Sequence, residues 1–367
     1  MDYRAPFWLP GGHLQTIYPA KCISPPEITL HRERWDTTDG DFIDVDFVEG
    51  LPGKPFITLF HGLEGSSSSH YARAILQYIE SMGWSGAVPH FRGCSGELNR
   101  APRFYHSGDA TEIDWILRRM AGHPQVRNAS DFFAVGISLG GNALLRWLGE
   151  FAEDTAFVDA ACAISAPLDL AAGGAALSRG VNMIYTRSFL KSLKPKCLQK
   201  LEQFPNLFDK DRMLTARDLY EFDNVVTAPL HGYRDTNDYW DRASAKHVLN
   251  NITVPTLVMN ARNDPFPASA TSATQGLFIR HSGISGTGWA CGICKRLSAG
   301  LSGVATKTAG AFSIGSDLAA VQRARQADVR ALICDGRDRQ ASDGEMAIRS
   351  TLLWMVSAGC AWRLSHA

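Results

Sequence analysis

The sequence predicts an α/β fold: a mostly parallel sheet with helices on both faces and a helical insertion in mid-chain. Three observations predict it. Short apolar runs alternate with segments of helical period from Phe56 to Met259. A glycine-rich hexapeptide, Gly136 to Gly141, joins one such run directly to a helical pattern. Between Pro167 and Pro255 the alternation gives way to helical stretches alone.

Each element has its own signal. Phe56 to Phe60 is a compact apolar run ending at His61-Gly62, the pattern of a buried strand and a turn. Tyr71 to Met82 carries Ala72, Ile75, Leu76 and Ile79 at helical spacing, with Gly83 as the stop. Gly86 to Pro89 reads as a weaker strand. Asp109 to Met120 reads as a helix capped by Asp109, with Ile113, Ile116 and Leu117 on one face. Phe132 to Val135 is the next strand, and Asn142 to Leu148 lies in the helix that follows. Ala160 to Ala166 is a strand of small residues stopped by Pro167, and Thr256 to Met259 is another. Met183 to Leu193 and Leu198 to Phe204 read as helical pieces of an inserted cap, about 168–250. The alternation fades after about Ala270, where glycine, serine and alanine dominate. Leu318 to Leu332 fits a helix and Thr351 to Val356 a short apolar run, in an otherwise irregular tail. The expected division is therefore 1–268 for the sheet domain and 269–367 for the tail.

The chain has 367 residues, enough for a large core. Its 37 basic and 37 acidic residues balance, which gives no sign of nucleic acid as a partner. No apolar run is long enough to span a bilayer, and the first residues lack a basic segment leading into an apolar one. Eight cysteines without a framework spacing read as reduced thiols, so a cytoplasmic setting is expected. Cys291 and Cys294 form a CxxC pair, but lack the second pair or βαβ context that zinc or redox chemistry needs.

The chemistry concentrates at the hexapeptide Gly136-Ile137-Ser138-Leu139-Gly140-Gly141. A serine on a tight strand-to-helix turn stands clear of the sheet, and side chains at the flanking glycines would clash. The helix start behind it offers unpaired N–H groups and a positive dipole end to a developing oxyanion. The plain alternative is a glycine-rich turn with a solvated serine. His61-Gly62-Leu63-Glu64-Gly65 follows an earlier strand, where such folds take a second oxyanion donor. The backbone N–H groups of Leu63 and Leu139 are therefore the oxyanion candidates, with His61 orienting its loop rather than serving as base. Asp264, just past the Thr256 to Met259 strand, is placed to orient a histidine. A turn aspartate before Pro265 is its plain alternative. Arg92 reads as a brace between loops. Trp8, Tyr71, Phe91 and Tyr105 read as core or pocket aromatics, and Ser66 to Ser69 as a polar turn at a helix start.

At these residues the sequence resembles the YheT-like branch of the α/β-hydrolases. The resemblance rests on Pro6 to Thr16, His61 to Ser66, His90 to Gly96, Gly136 to Gly141, His231 to Tyr239 and Asn260 to Phe266, roughly residues 5–268. It implies a serine hydrolase of carboxylic esters, of short-chain or acylglycerol type, without metal or organic cofactor. It carries the nucleophile to Ser138 and the triad acid to Asp264. The family's base sits in a Gly-Gly-His motif past the acid, and this chain has none. His281 and His366 are the only histidines after Asp264, and His281 is the base candidate. The change of composition near Ala268 fits a shifted reading frame. The alternative function is accordingly a catalytically impaired relic or binding protein, with low stability expected.

Overall fold

A computed structural model describes residues 8–261, residues 264–265 and the backbone of Leu277–Ile279. The expected elements 318–332 and 351–356, the residues Cys291, Cys294, His281 and His366, and the first part of the Pro6 to Thr16 segment lie outside the described residues.

Eight strands form one sheet in the order β1-β2-β4-β3-β5-β6-β7-β8. They are β1 (His31–Asp36), β2 (Phe42–Val48), β3 (Phe56–Phe60), β4 (Ser85–Pro89), β5 (Phe132–Ile137), β6 (Ala160–Ile164), β7 (Thr256–Met259) and β8 (Leu277–Ile279). Neighbours from β4 to β7 pair in parallel, whereas β1, β2 and β8 run antiparallel at the edges. The sheet is the expected mostly parallel one, and β3 and β7 have the expected bounds. Every residue of β3 and β7 is buried, as strands covered on both faces must be. Helices His70–Ser81, Ala110–Ala121 and Leu139–Phe151 connect the parallel strands. Asp109 caps the second of these, its Oδ1 accepting from the Glu112 N–H at 3.1 Å.

The β1–β2 pair has no counterpart among the expected strands. Charged residues interrupt its pattern, yet all of β2 is buried, including Asp44 and Asp46. The charges are matched in the fold. Arg34 binds Asp44 through Nε at 2.7 Å and Nη2 at 2.9 Å. Arg32 binds Asp46 at 2.7 and 2.8 Å in the same two-pronged way. Asp46 also accepts from Ser67 Oγ at 2.5 Å and pairs with His90 Nε2 at 2.8 Å. Burial pushes this carboxyl up, but the bonds from Arg32, His90 and Ser67 outweigh it and hold the group well below its ordinary range. Arg92 is the expected brace, reaching Asp39 at 2.9 Å, Asp41 at 2.7 Å and Glu112 at 2.5 Å.

Between β6 and β7 the chain is helical and has its own apolar cluster around Leu190, Cys197, Met213, Phe222 and Val226. The two expected helical pieces are one helix, Met183–Gln203, running through Pro195. A proline inside a helix costs about 3 kcal/mol. Buried Leu190 and Cys197 flank it, and fully buried Lys200 donates to the carbonyls of Asn99 at 2.5 Å and Ala101 at 3.0 Å. Those contacts hold the last turns against the sheet domain. At the other end of the cap, Asp223 accepts from Thr227 Oγ1 at 2.5 Å and Trp240 Nε1 at 2.8 Å. Burial pushes this carboxyl up to about 6, only partly opposed by those two donors.

The Asp223 shift fixes a pH dependence. A carboxyl raised on folding binds its proton more tightly in the folded chain. Its contribution is therefore most favourable below the ordinary carboxylate range and is lost as pH rises toward 6. The loss is at most about 3 kcal/mol. Asp223→Asn should remove that part of the decline. Urea-unfolding midpoints of both proteins from pH 4 to 7 should converge at the low end and separate in favour of the variant at the high end.

Candidate active site

The turn after β5 places Ser138 at φ 53° and ψ −118°, a region that non-glycine residues rarely occupy. Its N–H donates to the Ile164 carbonyl at 2.9 Å, and its carbonyl accepts from Asn142 N–H at 3.0 Å. The flanking glycines allow the backbone to cross this closely. A Cβ on Gly136 would sit 2.5 Å from the Gly140 carbonyl oxygen, and a Cβ on Gly140 would sit 2.5 Å from that of His61. Asn142, expected only as part of the helix, is fully buried. Its Nδ2 donates to the carbonyls of Ser107 and Ala243, both at 2.8 Å, and its Oδ1 accepts from Ala245 N–H at 2.9 Å. One amide side chain thus ties the helix start to two loops.

The loop after β3 passes directly beside the serine, with Gly62 so close that a Cβ there would meet Ser138 Cβ at 3.2 Å. His61 holds this loop. Its Nε2 accepts from Phe91 N–H at 3.0 Å, so Nδ1 carries the proton and donates to the Gly62 carbonyl at 2.8 Å. With both ring nitrogens engaged, His61 orients and cannot accept a proton. The Gly62 N–H donates to Tyr71 Oη at 2.9 Å and the Glu64 N–H to Tyr105 Oη at 2.8 Å. The Leu63 N–H between them, and the Leu139 N–H across the turn, have no acceptor among the described residues.

Glu64 carries a second backbone strain, φ 55°. Its side chain receives Tyr105 Oη at 2.9 Å, Lys196 Nζ at 2.8 Å and the Ser192 hydroxyl. Lys196 and Ser192 belong to the cap helix Met183–Gln203. An ion pair with an enclosed carboxylate and a partly exposed ammonium therefore connects the loop bearing Leu63 to the cap.

Ser138, Leu63 and Leu139 line a cavity of about 160 Å³. Its floor includes Ser165, and its roof includes Leu170, Phe189 and Leu219 from the cap. Ser165 is also strained, at φ 51°, and its N–H donates to the Met259 carbonyl at 2.7 Å. That bond ties the ends of β6 and β7. Asn260 Nδ2 adds another, to the Ala166 carbonyl at 3.1 Å. Asp264 follows in a half-buried turn, its N–H donating to the Ala261 carbonyl at 3.1 Å. It stands past the carboxyl end of β7 and does not line the cavity. Two cavity histidines, His106 and His231, were not singled out from the sequence as site residues. Burial pushes each of them, like His61, down to about 3. All three are uncharged and weakly basic near neutral pH. Lone histidines in separate loops carry no sequence signal that they share a cavity.

No protein-family profile matches the chain. The protein YheT of Escherichia coli K12, named as a proposed esterase, is 39% identical over 262 residues, covering 69% of this chain and 75% of that protein. Phospholipase ABHD3 of Mus musculus is 27% identical over 276 residues, 73% of this chain and 66% of its own. Monoacylglycerol lipase of Saccharomyces cerevisiae is 27% identical over 221 residues, 58% of this chain and 48% of its own.

Stability measurements on four variants check the packing and pairing of this site. Gly140→Ala should cost about 1–3 kcal/mol, because backbone must move to admit the methyl group. Gly173→Ala, whose Cβ would meet Pro167 Cβ at an ordinary 3.5 Å, should be neutral or stabilising. Lys196→Met removes one donor from the enclosed Glu64 carboxyl and should cost roughly 1–3 kcal/mol. Adding Glu64→Gln to it should return part of that loss, which a double-mutant cycle reads directly.

Proposed function

From the premise that this chain belongs to the YheT-like branch of the α/β-hydrolases, we propose that it is a serine hydrolase cleaving carboxylic esters. Its relatives' names, an esterase, a phospholipase and a monoacylglycerol lipase, support ester hydrolysis as the reaction class. The observation that carries the reading is Ser138 at its strained turn, facing a cavity beside two amides without acceptors. Ser138 Oγ attacks the ester carbonyl as a base takes its proton. The Leu63 and Leu139 N–H groups receive the charge that develops on the carbonyl oxygen. Each such donor is worth about 2.7–4 kcal/mol of barrier. The intermediate collapses to an acyl-serine as the alcohol leaves with the proton. Water then repeats the sequence and frees the acid. Asp264 acts through the base, holding its imidazole in the right tautomer. Chain order points to His281 for the base position, but Ile279, two residues before it, pairs with Thr256 at the amino end of β7, opposite the edge that carries Asp264, so the base is left unassigned.

The cavity supports the small end of the substrate range. An apolar space of about 150 Å³ accommodates benzene, so about 160 Å³ suits an acyl chain of roughly four to six carbons. His61, His106 and His231 favour a second reading, an impaired hydrolase. Each is too weak a base for the acylation step, so turnover depends wholly on a histidine beyond them.

A fluorophosphonate probe and p-nitrophenyl esters of graded length test both readings. Labelling that Ser138→Ala abolishes, with turnover peaking near butyrate to hexanoate, is the expected result for the enzyme. Labelling with turnover lower by several orders of magnitude indicates the impaired form. An unlabelled Ser138 overturns the assignment.

A further inference from the structure

Acids and bases balance over the whole chain, but not in the cap. From Leu170 to Leu201 it carries six cations and no acid. Three of them are spent inside the fold. Lys194 Nζ donates to the carbonyls of Leu214 and Ala216, both at 2.7 Å, Lys196 pairs with Glu64, and Lys200 holds the carbonyls of Asn99 and Ala101. The other three, Arg179, Arg187 and Lys191, are exposed and have no ion-pair partner among the described residues. Arg187 and Lys191 stand three and seven residues past Ile184 in the helix Met183–Gln203, so the three share one face. It is the outer face, since Thr186, Leu190 and Cys197 are buried.

Apolar side chains stand among these cations. Eight large hydrophobic residues are exposed among the described residues, and half of them fall in two segments. Val181 and Ile184, 58% and 54% exposed, lie at the start of the cap helix, and Trp8 and Leu14 lie before and within the helix Gly11–Cys22. The segments meet at Tyr185, whose ring stacks on His13 with centroids 5.9 Å apart and whose hydroxyl lies 3.2 Å from His13 Nδ1. Trp8 to Pro26 is also free of acids and carries the exposed Lys21. Asp264, half-buried, is the acid whose field reaches Tyr185. Glu202, the next acid on the cap helix, stands about three turns beyond Lys191. Single exposed hydrophobics mean little, but four on adjoining segments with unpaired cations among them mark a contact surface.

We infer that this surface docks on an anionic lipid bilayer, with Val181 and Ile184 entering the headgroup layer and Arg179, Arg187 and Lys191 against the lipid phosphates. A bilayer surface offers negative charge and apolar cover side by side, which is what exposed aliphatic side chains beside unpaired cations require. A nucleic acid offers phosphates but leaves Val181 and Ile184 in water. No helix among the described residues is long and apolar enough to cross a bilayer, so the contact lies in the interface. The same helix carries Phe189, Leu193 and Lys196 to the wall of the Ser138 cavity, so docking by its outer face sets that wall beside the lipid. Docking needs nothing of Ser138 and stands whether or not the chain hydrolyses esters.

Flotation of the full chain with vesicles reads the contact. Vesicles of phosphatidylcholine with one-third phosphatidylglycerol should carry the protein, and phosphatidylcholine alone should bind it at least about tenfold more weakly. Raising the ionic strength from about 0.1 M to about 1 M, which shortens screening from about 10 Å to about 3 Å, should weaken the anionic binding by a similar factor. Arg187→Gln with Lys191→Gln should weaken it about thirtyfold, the effect of two charges near such a surface. Val181→Ser with Ile184→Ser should weaken it roughly tenfold. Leu51→Ser with Met82→Ser, an exposed apolar pair beside Gly83, should leave it unchanged, as should Ser138→Ala. Equal binding to both kinds of vesicle, binding that both cap variants retain, or an equal loss from the Leu51 and Met82 control overturns the inference. So does a wild-type chain that ignores vesicles, that forms a dimer broken by the serine variant, or that binds duplex DNA as tightly with no loss in that variant. Vesicle composition and salt report on the unaltered chain, so a poorly folded variant does not remove the test. Fluorophosphonate labelling of Ser138 is read separately, so docking and hydrolysis can each fail alone.

Discussion

The site depends on one close approach of backbone to backbone. The turn after β5 brings Gly136 against Gly140, and Gly140 against the His61 carbonyl at the end of β3. No side chain fits in either gap, so glycine there is a geometric necessity rather than a source of flexibility. The same approach presses Gly62 against Ser138 and sets the separation of the Leu63 and Leu139 amides. A serine and two amides held this way keep fixed positions, and fixed dipoles gain over water in stabilising charge that develops beside them.

Such a turn stores strain, and the surrounding polar contacts hold it. Ser138, Glu64 and Ser165 are three non-glycine residues at positive φ, and all three line the cavity. Conformations of this kind cost about 1–3 kcal/mol each and persist only where neighbours determine them. Glu64 is held by Tyr105 and the Lys196–Ser192 pair, Ser165 by Met259, and Ser138 by Ile164 and Asn142. Asp46 extends this support outward, since its bond to Ser67 joins β2 to the same loop that carries Leu63. Buried charges of this sort contribute little net stability. Their effect is to leave the loop one position.

The sequence made the parallel strands and the serine turn legible because their signals are local. β3, β5 and β7 are apolar runs, and the Gly136 to Gly141 string is a steric rule written in six residues. Two kinds of feature escaped. Strands β1 and β2 look solvent-exposed because Arg32, Arg34, Asp44 and Asp46 break their apolar pattern, yet the charges cancel pairwise once the strands align. The helix Met183–Gln203 continues past Pro195 because tertiary contacts of Cys197 and Lys200 outweigh the local penalty. The same reasoning covers the site. Ser138, Leu63 and Leu139 could be placed from motif and strand order, and the structure puts all three on one cavity. His231, Lys196 and Asn142 act through partners far away in the chain, and no local pattern announces such partners.

The strand order also explains which edge of the sheet can hold chemistry. Parallel strands point their carboxyl ends the same way, so the turns after β3, β5, β6 and β7 converge, bringing Leu63, Ser138, Ser165 and Asp264 to one edge. β8 breaks that rule. Its pairing of Ile279 with Thr256 and of Leu277 with Val258 makes it run against β7, so its last residue lies level with the start of β7. The edge that gathers the serine, the two amides and the acid is therefore supplied by the parallel strands alone. Those strands and their loops also carry the cavity and His106, with the cap closing over them and bringing His231.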